Sequence, residues 1–373
     1  HEIPPDALLL KLTIDERQIV EIARAVASGC RVLVFDEPTS SLARKDVHRL
    51  FELIRRLKSQ GHAIVYISHF LEEVKEVSDR LTVLRDGQTA GSGRTADMPV
   101  EDIVRLMIGR RLEQLYPRSP RTPGELLLEV NNLSGQKKPA SASFSLRRGE
   151  VLGIAGLLGS GRTELMRAIF SLDRVRGGEI RVGACVGPAS PARRLSQGVG
   201  LLSEDRKGEG LALSLSLADN ITLSRLTGLG PWGLVTPSRQ NQAAERWIER
   251  LAIRCQGARQ RAVSLSGGNQ QKVAVARLLH HDVDVWLLDE PTKGIDVASK
   301  AQIYGLIDEL TRGDDALGRK PRSVIMVSSY LPELLGICDR IAVMCRGVLG
   351  TPRPVSEWTE HKLLLEATGK EAA

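Results

Sequence analysis

The chain has 373 residues, of which 42% are hydrophobic and 26% are charged, a composition that supports packed cores and excludes a disordered chain. The net charge of +7 is small for this length and the arginines are scattered, so nucleic acid is not expected as a partner. Five cysteines at unrelated spacings argue against a disulfide framework and a zinc site. No apolar run approaches the roughly 20 residues that a membrane span needs, which argues against a transmembrane helix.

Helix and strand patterns alternate from the beginning of the sequence. Helical apolar periods cover Gln18–Ser28 and Asp46–Gln60, and short apolar runs typical of buried strands cover Arg31–Phe35 and Ala63–Ser68. This alternation predicts an α/β fold with a mostly parallel sheet flanked by helices.

The segment Arg110–Gly124 interrupts this pattern, because it combines three prolines with several arginines. We therefore predict a first domain over residues 1–118, a linker over residues 119–124 and a second domain over residues 125–373.

A glycine-rich loop lies near the start of the second domain. The sequence Gly156-Leu-Leu-Gly-Ser-Gly-Arg-Thr163 follows the predicted strand Val151–Ala155 and precedes the predicted helix Glu164–Phe170. Glycines at such a turn let backbone N–H groups converge on a phosphate at the helix N-terminus, and the threonine hydroxyl can ligate Mg²⁺. This loop is therefore predicted to be a P-loop, with Thr163 as the metal ligand and the other contacts from Gly156, Gly159, Ser160, Gly161 and Arg162. Arginine stands where lysine is usual, and its planar fork does not replace an ammonium freely.

The second domain also repeats the elements of the first. Leu265–Gln271 lies 253 positions after Leu12–Gln18, and Leu287–Thr292 repeats Val34–Thr39 at the same offset. After an insertion of seven residues, Val327–Ser329 repeats Ile67–His69 at an offset of 260. The predicted elements of this copy are the helices Gln271–His281 and Lys300–Arg312 and the strands Asp284–Leu288 and Ser323–Ser328.

An acidic pair ends one strand in each copy. Asp289 and Glu290 follow an apolar strand, and Asp36 and Glu37 do the same in the first copy. An aspartate in this position holds Mg²⁺, and the adjacent glutamate polarises an attacking water. Both pairs precede Pro-Thr, which argues against simple helix caps, so Asp289 is a predicted metal ligand and both glutamates are predicted catalytic residues.

The segment Leu265–Gln270 is the most specific motif of the sequence. Ser266, Gly267 and Gly268 open a helix and present free N–H groups and a hydroxyl to an anion. Here the sequence resembles the ATP-binding-cassette (ABC) ATPases, whose signature motif it matches almost letter for letter.

Further stretches narrow this resemblance to one class of ABC ATPase. Three stretches look like the C-terminal cassette of tandem sugar-importer ATPases of the ribose, galactose and xylose type. They are the P-loop with its arginine, the segment Leu202–Lys207 and the segment Leu265–Lys272. Val20–Ala23 and Ile64–His69 look like the N-terminal cassette of the same proteins. The resemblance implies the P-loop NTPase fold of an ABC cassette with a helical signature subdomain.

The resemblance also implies cofactors, partners and a location. ATP and Mg²⁺ are the expected cofactors, and the expected partners are a membrane permease and, through it, a periplasmic sugar-binding protein. A subunit of this kind is peripheral and lies at the cytoplasmic face of the inner membrane. The counterpart of Gly156 would fall 253 positions earlier, outside the chain. We therefore expect one complete cassette preceded by the rear half of another, truncated at its N-terminus, and a second cassette or another copy of the chain as a further partner.

In ABC ATPases, ATP lies between the P-loop of one cassette and the signature of the other. One such site would join Gly156–Thr163, Asp289 and Glu290 to Leu12–Gln18. The other would join Ser266-Gly-Gly268 to the P-loop of the first cassette, together with Glu37 and with His69, the residue that the resemblance assigns to the γ-phosphate.

The first of these two sites departs from the family pattern. Asp15 stands where the second copy has Gly268, Ser329 replaces the histidine, and Glu204 replaces a glutamine. A carboxylate facing the γ-phosphate is repelled, and Arg17 offsets this repulsion only in part. We therefore predict that the isolated chain binds ATP at Gly156–Thr163 and hydrolyses it poorly.

Two other interpretations stay open at this stage. A degenerate regulatory module would bind ATP without transport, and a non-functional fragment would do neither. ABC proteins that act on nucleic acid would need zinc modules, a long coiled coil or a long charged linker, none of which is visible in the sequence. The segment Leu202–Asn220 is the expected contact with a permease, because it joins the P-loop region to the signature.

Overall fold

The computed structural model describes residues 3–39, 44–68, 70–85, 87–108, 116–313 and 320–369. Contacts divide the chain into two units, His1–Leu112 with Asp296–Ala298 and Glu113–Ile295 with Ser299–Ala373. The domain limits that we drew from the sequence stay a prediction. Among the described helices, none has the length and apolar character needed to cross a membrane.

The first unit pairs two helices with a short parallel sheet and adds a hairpin. Its elements are α1 (Ile14–Ala27), β1 (Val32–Asp36), α2 (Arg44–Ser59), β2 (Ala63–Ile67), α3 (Leu71–Val77), β3 (Arg80–Arg85), β4 (Gln88–Arg94) and α4 (Val100–Ile108). β1 and β2 are parallel, and β3 and β4 are antiparallel. The core on β1 and β2 consists of Ile22, Leu33, Phe35, Leu50, Phe51, Ile54 and Leu57.

α1 begins four residues earlier than the predicted start at Gln18. Thr13 caps it, because its hydroxyl accepts from the Glu16 N–H at 3.3 Å while the Glu16 carboxylate accepts from the Thr13 N–H at 2.8 Å. Such a capping box is polar, so the apolar period does not reveal the first turn that it stabilises.

The second unit contains two sheets and the remaining helices. Its strands are β5 (Leu126–Gly135), β6 (Ala142–Arg147), β7 (Val151–Gly156), β8 (Val175–Val182), β9 (Cys185–Val186), β10 (Val199–Leu202), β11 (Val285–Asp289), β12 (Ser323–Val327), β13 (Arg340–Cys345), β14 (Val348–Leu349) and β15 (Arg353–Pro354). The helices that accompany them are α5 (Arg162–Ile169), α6 (Pro191–Ser196), α7 (Leu217–Thr222), α8 (Pro237–Arg250), α9 (Gly267–His281), α10 (Val297–Arg312), α11 (Leu331–Ile337) and α12 (Glu360–Ala367).

The larger sheet has the strand order β10-β11-β12-β7-β13-β14, with β15 also paired to β13. Its first five strands are parallel, and β14 and β15 run antiparallel to β13. The predicted mostly parallel sheet flanked by helices is therefore confirmed. The sequence did not predict the second sheet, which is antiparallel with the order β6-β5-β8-β9.

α5 lies in the main core of the second unit, among residues of both sheets. Leu165, Met166 and Ile169 of this helix are fully buried in one cluster with Leu287 and Ile325 of the parallel sheet. The same cluster includes Leu128, Val130 and Leu146 of the antiparallel sheet. The helix after the P-loop is thus fixed by apolar packing. α7, α8 and α9 pack on one another as a helical layer, and α9 also contacts β10.

The two copies of the repeat have the same backbone register. Val32 pairs with Ala63 in the first unit, and their counterparts Val285 and Ser323 pair in the second. Burial differs between the copies. In the first, one face of the sheet is exposed at Val32 (58%), Val34 (62%), Val65 (48%) and Ile67 (45%). The counterparts Val285, Leu287, Ile325 and Val327 are at most 1% exposed, because they belong to the cluster around α5.

This difference predicts unequal costs for equivalent substitutions. Leu287→Ala should lower the free energy of unfolding by about 2–5 kcal/mol, because it opens a cavity in a close-packed core. Val34→Ala, at the matched and exposed position, should change it by less than about 0.5 kcal/mol. Urea denaturation followed by far-ultraviolet circular dichroism measures both. Equal losses in the two variants would contradict the difference in burial.

Candidate phosphate-binding site

β7 and α5 hold the glycine-rich loop between them. Gly156 has a φ of 155°, and a Cβ there would lie 2.5 Å from the carbonyl oxygen of Met344. Gly161, with a φ of 115°, precedes the first residue of α5. Both positions therefore require glycine. The N–H of Gly347 donates to the carbonyl oxygen of Ser160 at 2.7 Å, which fixes the loop at a second point. Free N–H groups at the start of α5 can then meet an anion.

The order of the strands brings Asp289 to this loop. β11, β12 and β7 are parallel neighbours, so their carboxyl ends lie at one edge of the sheet. The Thr163 hydroxyl lies close enough to the Asp289 carboxylate to lower its pKa. Among the described residues, Ser160 Oγ and Asp289 Oδ1 are buried oxygens without a hydrogen-bond partner. Such oxygens beside backbone N–H groups fit a phosphate with a bound Mg²⁺.

The electrostatics of Asp289 fit a cation as well. Burial raises the pKa of Asp289 to about 7, and the carboxylates of Glu204 and Glu290 act in the same direction. The Thr163 hydroxyl and the Arg162 guanidinium oppose this shift. The anion of Asp289 is therefore unfavourable without a counter-charge, and a metal ion at this position would relieve it.

Arg162 and Glu290 are engaged with each other. Arg162 Nη2 lies 3.3 Å from Glu290 Oε1, and both side chains are more than nine-tenths buried. Arg162 Nη1 also donates to the Ser328 carbonyl oxygen at 2.9 Å, and the Ser329 hydroxyl donates to Glu290 Oε2 at 3.1 Å. Burial raises the pKa of Glu290, and Arg162 acts against that rise. The sequence predicted both residues for the site but did not reveal that they pair.

Two further cations make contacts near the site, and one of them, Arg206, joins it to the signature helix; sequence reasoning assigned no role to either. Lys293 Nζ donates to Glu204 Oε1 at 2.8 Å. Arg206 Nη1 donates to the carbonyl oxygen of Gly267 at 2.7 Å, and burial lowers the pKa of Arg206. The sequence feature that could have indicated a role for Arg206 is its position in Leu202–Lys207, the stretch that resembles the sugar-importer ATPases.

The predicted signature residues lie at the start of α9. Ser266 precedes the helix in an extended conformation, and its hydroxyl accepts from the side-chain amide of Asn269 at 2.9 Å. The Asn269 side-chain oxygen accepts from the backbone N–H of Arg254 at 2.9 Å. Gly267 and Gly268 form the first turn, where N–H groups have no carbonyl partner within the helix.

The first unit repeats the geometry of the acidic strand end. Glu37 follows β1 with a φ of 45°, and its N–H donates to the Ile67 carbonyl oxygen at 2.9 Å. Glu290 has a φ of 47°, and its N–H donates to Val327 at 3.0 Å. The structure thus places Glu37 beside the end of β2. The predicted His69, which follows that strand, lies outside the described residues.

The segment Leu12–Gln18 has a defined backbone around the capped start of α1. Arg17 donates to the carbonyl oxygens of Leu12 at 3.0 Å and of Leu10 at 2.9 Å. Its guanidinium is therefore engaged by the backbone. The side chain of Asp15 lies outside the described residues, so its compensation by Arg17 stays a prediction.

A glutamate braces the acidic strand end in each unit, fully buried in the second unit and half-buried in the first. Glu333 accepts hydrogen bonds from the hydroxyls of Thr292 (2.8 Å), Tyr304 (2.5 Å) and Ser328. Glu333 thus links Thr292, in the turn after Glu290, to Ser328, the residue before Ser329. Sequence reasoning missed them.

In the first unit the counterpart of that glutamate, Glu73, accepts from Thr39 (2.9 Å), Tyr66 (2.8 Å) and Ser68 (2.9 Å). Two of the donors occupy equivalent positions in the repeat, whereas the tyrosine comes from α10 in one unit and from β2 in the other. The same arrangement of three hydroxyls on one carboxylate is therefore built from different sequence positions.

Three features together define an ATP-binding cassette. They are a P-loop, an acidic strand end beside it and a glycine-rich helix start in a layer of helices. The family model for ABC transporters matches residues 140–293. A solved nucleotide-free ATP-binding cassette from an ABC transporter has the same fold, with a TM-score of 0.52, 20% identity and coverage of 62% of this chain and 92% of that one.

Similarity to curated proteins is higher and extends over the whole chain. A ribose import ATP-binding protein of Rubrobacter xylanophilus is 45% identical over 99% of this chain and 73% of its own length. A ribose import ATP-binding protein of Pseudomonas putida is 41% identical over 100% of this chain and 71% of its own length. The chain therefore belongs to the ABC transporter family, among the ATP-binding proteins of sugar importers.

The raised pKa of Asp289 predicts a pH-dependent effect of Asp289→Asn. Between about pH 4 and pH 7 the native state holds a proton that the unfolded state has lost, so the wild-type chain loses stability as the pH rises through this range. Asparagine does not titrate, so the variant does not lose this stability. The free energy of unfolding of Asp289→Asn relative to the wild type should therefore rise with pH by up to a few kcal/mol, with the full difference reached near pH 7. Urea denaturation followed by tryptophan fluorescence measures it, since Trp232, Trp247, Trp286 and Trp358 all lie in the second unit. Asp36→Asn, at the exposed counterpart, is the control, and its unfolding is followed by far-ultraviolet circular dichroism because the first unit has no tryptophan. A pH-independent difference between Asp289→Asn and the wild type would contradict the burial of an unpaired anion.

The Arg162–Glu290 pair predicts strong coupling in a double-mutant cycle. Arg162→Met and Glu290→Gln should each lower the free energy of unfolding by about 3–5 kcal/mol, because each leaves a buried partner unpaired. The double variant should lose much less than the sum of the two. The exposed pair of Arg55 with Glu76, 2.8 Å apart, is the control and should couple by about 1 kcal/mol or less. Additive losses at Arg162 and Glu290 would show that the two side chains do not interact.

Proposed function

We propose that this chain is an ATP-binding subunit that energises the import of a sugar of the ribose class through a membrane permease. The observation that carries the nucleotide site is the pair of buried oxygens without partners, Ser160 Oγ and Asp289 Oδ1, beside the start of α5. The sugar rests on the relatives, which are ribose import ATP-binding proteins.

In this proposal the second unit binds the phosphates of ATP at Gly156–Thr163. The N–H groups at the start of α5 and the Ser160 hydroxyl contact phosphate oxygens, and Thr163 and Asp289 hold Mg²⁺. When bound, Mg²⁺ would neutralise charge on the phosphates. The two proposed ligands are neighbours, since the Thr163 hydroxyl lowers the pKa of Asp289.

The same site is proposed to hydrolyse ATP poorly in the chain by itself. A general base needs a carboxylate that is free to accept a proton from water. Glu290 is held by Arg162 at 3.3 Å and by the Ser329 hydroxyl at 3.1 Å. Ser329 also stands where the first copy has His69, so a serine hydroxyl replaces an imidazole there. Both features favour nucleotide binding over turnover.

The more complete catalytic set is proposed to serve a different P-loop. Glu37 and His69 would act as the base and the γ-phosphate contact, and Ser266, Gly267 and Gly268 would contribute the signature. That P-loop would come from a second cassette or from another copy of the chain. The proposed location is the cytoplasmic face of the inner membrane, with a periplasmic sugar-binding protein as the indirect partner.

The proposal predicts that the purified chain binds ATP without vigorous turnover. Isothermal titration calorimetry with Mg²⁺ should show saturable ATP binding, which Thr163→Ala should weaken by about tenfold or more through loss of a metal ligand. Thr227→Ala, at an exposed threonine of the same unit, should bind as the wild type does. Phosphate release should stay near background in the wild type, in Glu290→Gln and in the matched variant Glu37→Gln. Vigorous turnover that Glu290→Gln abolishes would contradict the proposal for this site.

The permease contact is proposed for the predicted segment Leu202–Asn220. Leu211 and Leu217 are buried, so core packing explains them, whereas Leu215 is 43% exposed. In a chain whose five native cysteines are replaced by serine, Leu215→Cys should crosslink to the permease of a ribose importer in membrane vesicles, and Leu172→Cys, at another exposed leucine, serves as the control. Crosslinking to ribosomes or DNA instead would favour a different class of ABC protein.

A further inference from the structure

The turn between β5 and β6 lies against the P-loop. Lys138 Nζ donates to the carbonyl oxygen of Gly159. The turn is anchored at its base, where the Gly135 N–H donates to the Pro139 carbonyl oxygen at 2.9 Å. It is also anchored to the segment that holds the P-loop, because the Ala140 N–H donates to the carbonyl oxygen of Gly347 at 2.6 Å. The position of Lys138 is therefore fixed by the backbone on both sides.

The stem of Lys138 crosses the P-loop at Gly161. A Cβ placed on Gly161 would lie 3.2 Å from both Cβ and Cδ of Lys138. The side chain thus lies over the last residue before α5, where the free N–H groups of the helix begin. An ammonium on this stem is within reach of whatever anion those N–H groups bind.

The charge balance of the loop leaves a role for this ammonium. The cation within the P-loop, Arg162, is buried and already engaged by Glu290 and the Ser328 carbonyl oxygen. Among the described residues no carboxylate pairs with Lys138, whose bond goes to a neutral carbonyl. A flexible ammonium with three donors can exchange that carbonyl for a phosphate oxygen at little expense, because the new bond is charge-assisted.

We propose that Lys138 is a nucleotide-contacting residue whose ammonium binds the phosphate oxygens of ATP at Gly156–Thr163. It supplies the mobile positive charge that a P-loop lysine would otherwise provide. This inference rests on the proposed nucleotide site and adds to it a residue from outside the P-loop, about twenty positions earlier in the chain.

The test compares three single substitutions in the full chain by calorimetric titration with ATP and Mg²⁺. Lys138→Met keeps the apolar stem over Gly161 and removes the charge, so ATP affinity should fall by about tenfold or more. Lys138→Arg keeps a charge on a longer and bulkier side chain and should recover part of that loss. Lys137→Met removes the neighbouring exposed charge and should leave the affinity within about twofold of the wild type.

A second measurement separates a phosphate contact from a structural prop. If the ammonium contacts phosphate, the dependence of ATP affinity on salt concentration should become shallower in Lys138→Met than in the wild type and in Lys137→Met. Unchanged ATP affinity in Lys138→Met, with Thr163→Ala still weakened, would overturn the role of Lys138 and leave the nucleotide site standing. A loss of affinity with an unchanged salt dependence would overturn it too. Absence of saturable ATP binding by the wild-type chain would instead remove the proposed function and this inference with it.

Discussion

The parallel pairing of β7, β12 and β11 is the constraint on which the rest of the second unit depends. It brings the carboxyl ends of three strands, far apart in the chain, to one edge of the sheet. The glycine-rich loop, Asp289 and Ser328 meet there only because each lies at the carboxyl end of its strand. α5 then packs through Leu165 and Met166 into the core between the sheets, which fixes the direction of its N-terminus. Apolar packing thus positions a site made of polar groups.

Two residues at this edge of the sheet surround Glu290. Arg162 stands where a P-loop usually has lysine, and Ser329 stands where the first copy of the repeat has His69. A guanidinium is longer than an ammonium and carries donors on two sides, so it can hold the Glu290 carboxylate and the Ser328 carbonyl oxygen together. With serine at position 329, a hydroxyl rather than an imidazole completes the shell around Glu290. Each group satisfies another that would otherwise be buried alone, so the contacts together hold the Glu290 carboxylate in place.

The repeat shows which features survive a change of surroundings. Both copies keep the strand register, the positive φ of the glutamate and a carboxylate that accepts from three hydroxyls. Local backbone geometry and short-range hydrogen bonds are therefore determined within each copy. Burial is not, since Val34 is exposed and its counterpart Leu287 lies under α5. Equivalent apolar strands therefore form a buried core in one copy and an exposed face in the other, because different elements pack on them.

The sequence by itself determined the fold class, the repeat, the P-loop, the acidic strand ends and the signature, because each is a local pattern with a physical reason for its residues and spacing. The family followed from those patterns, and the similarity to ribose import ATP-binding proteins agrees with it. Tertiary structure decided the partners of the charged groups. Arg162 with Glu290, Lys138 with Gly159 and Glu204 with Lys293 are contacts between segments that the sequence does not connect. A charge in a sequence has a known sign but no known partner, and only the packing of the strands selects that partner.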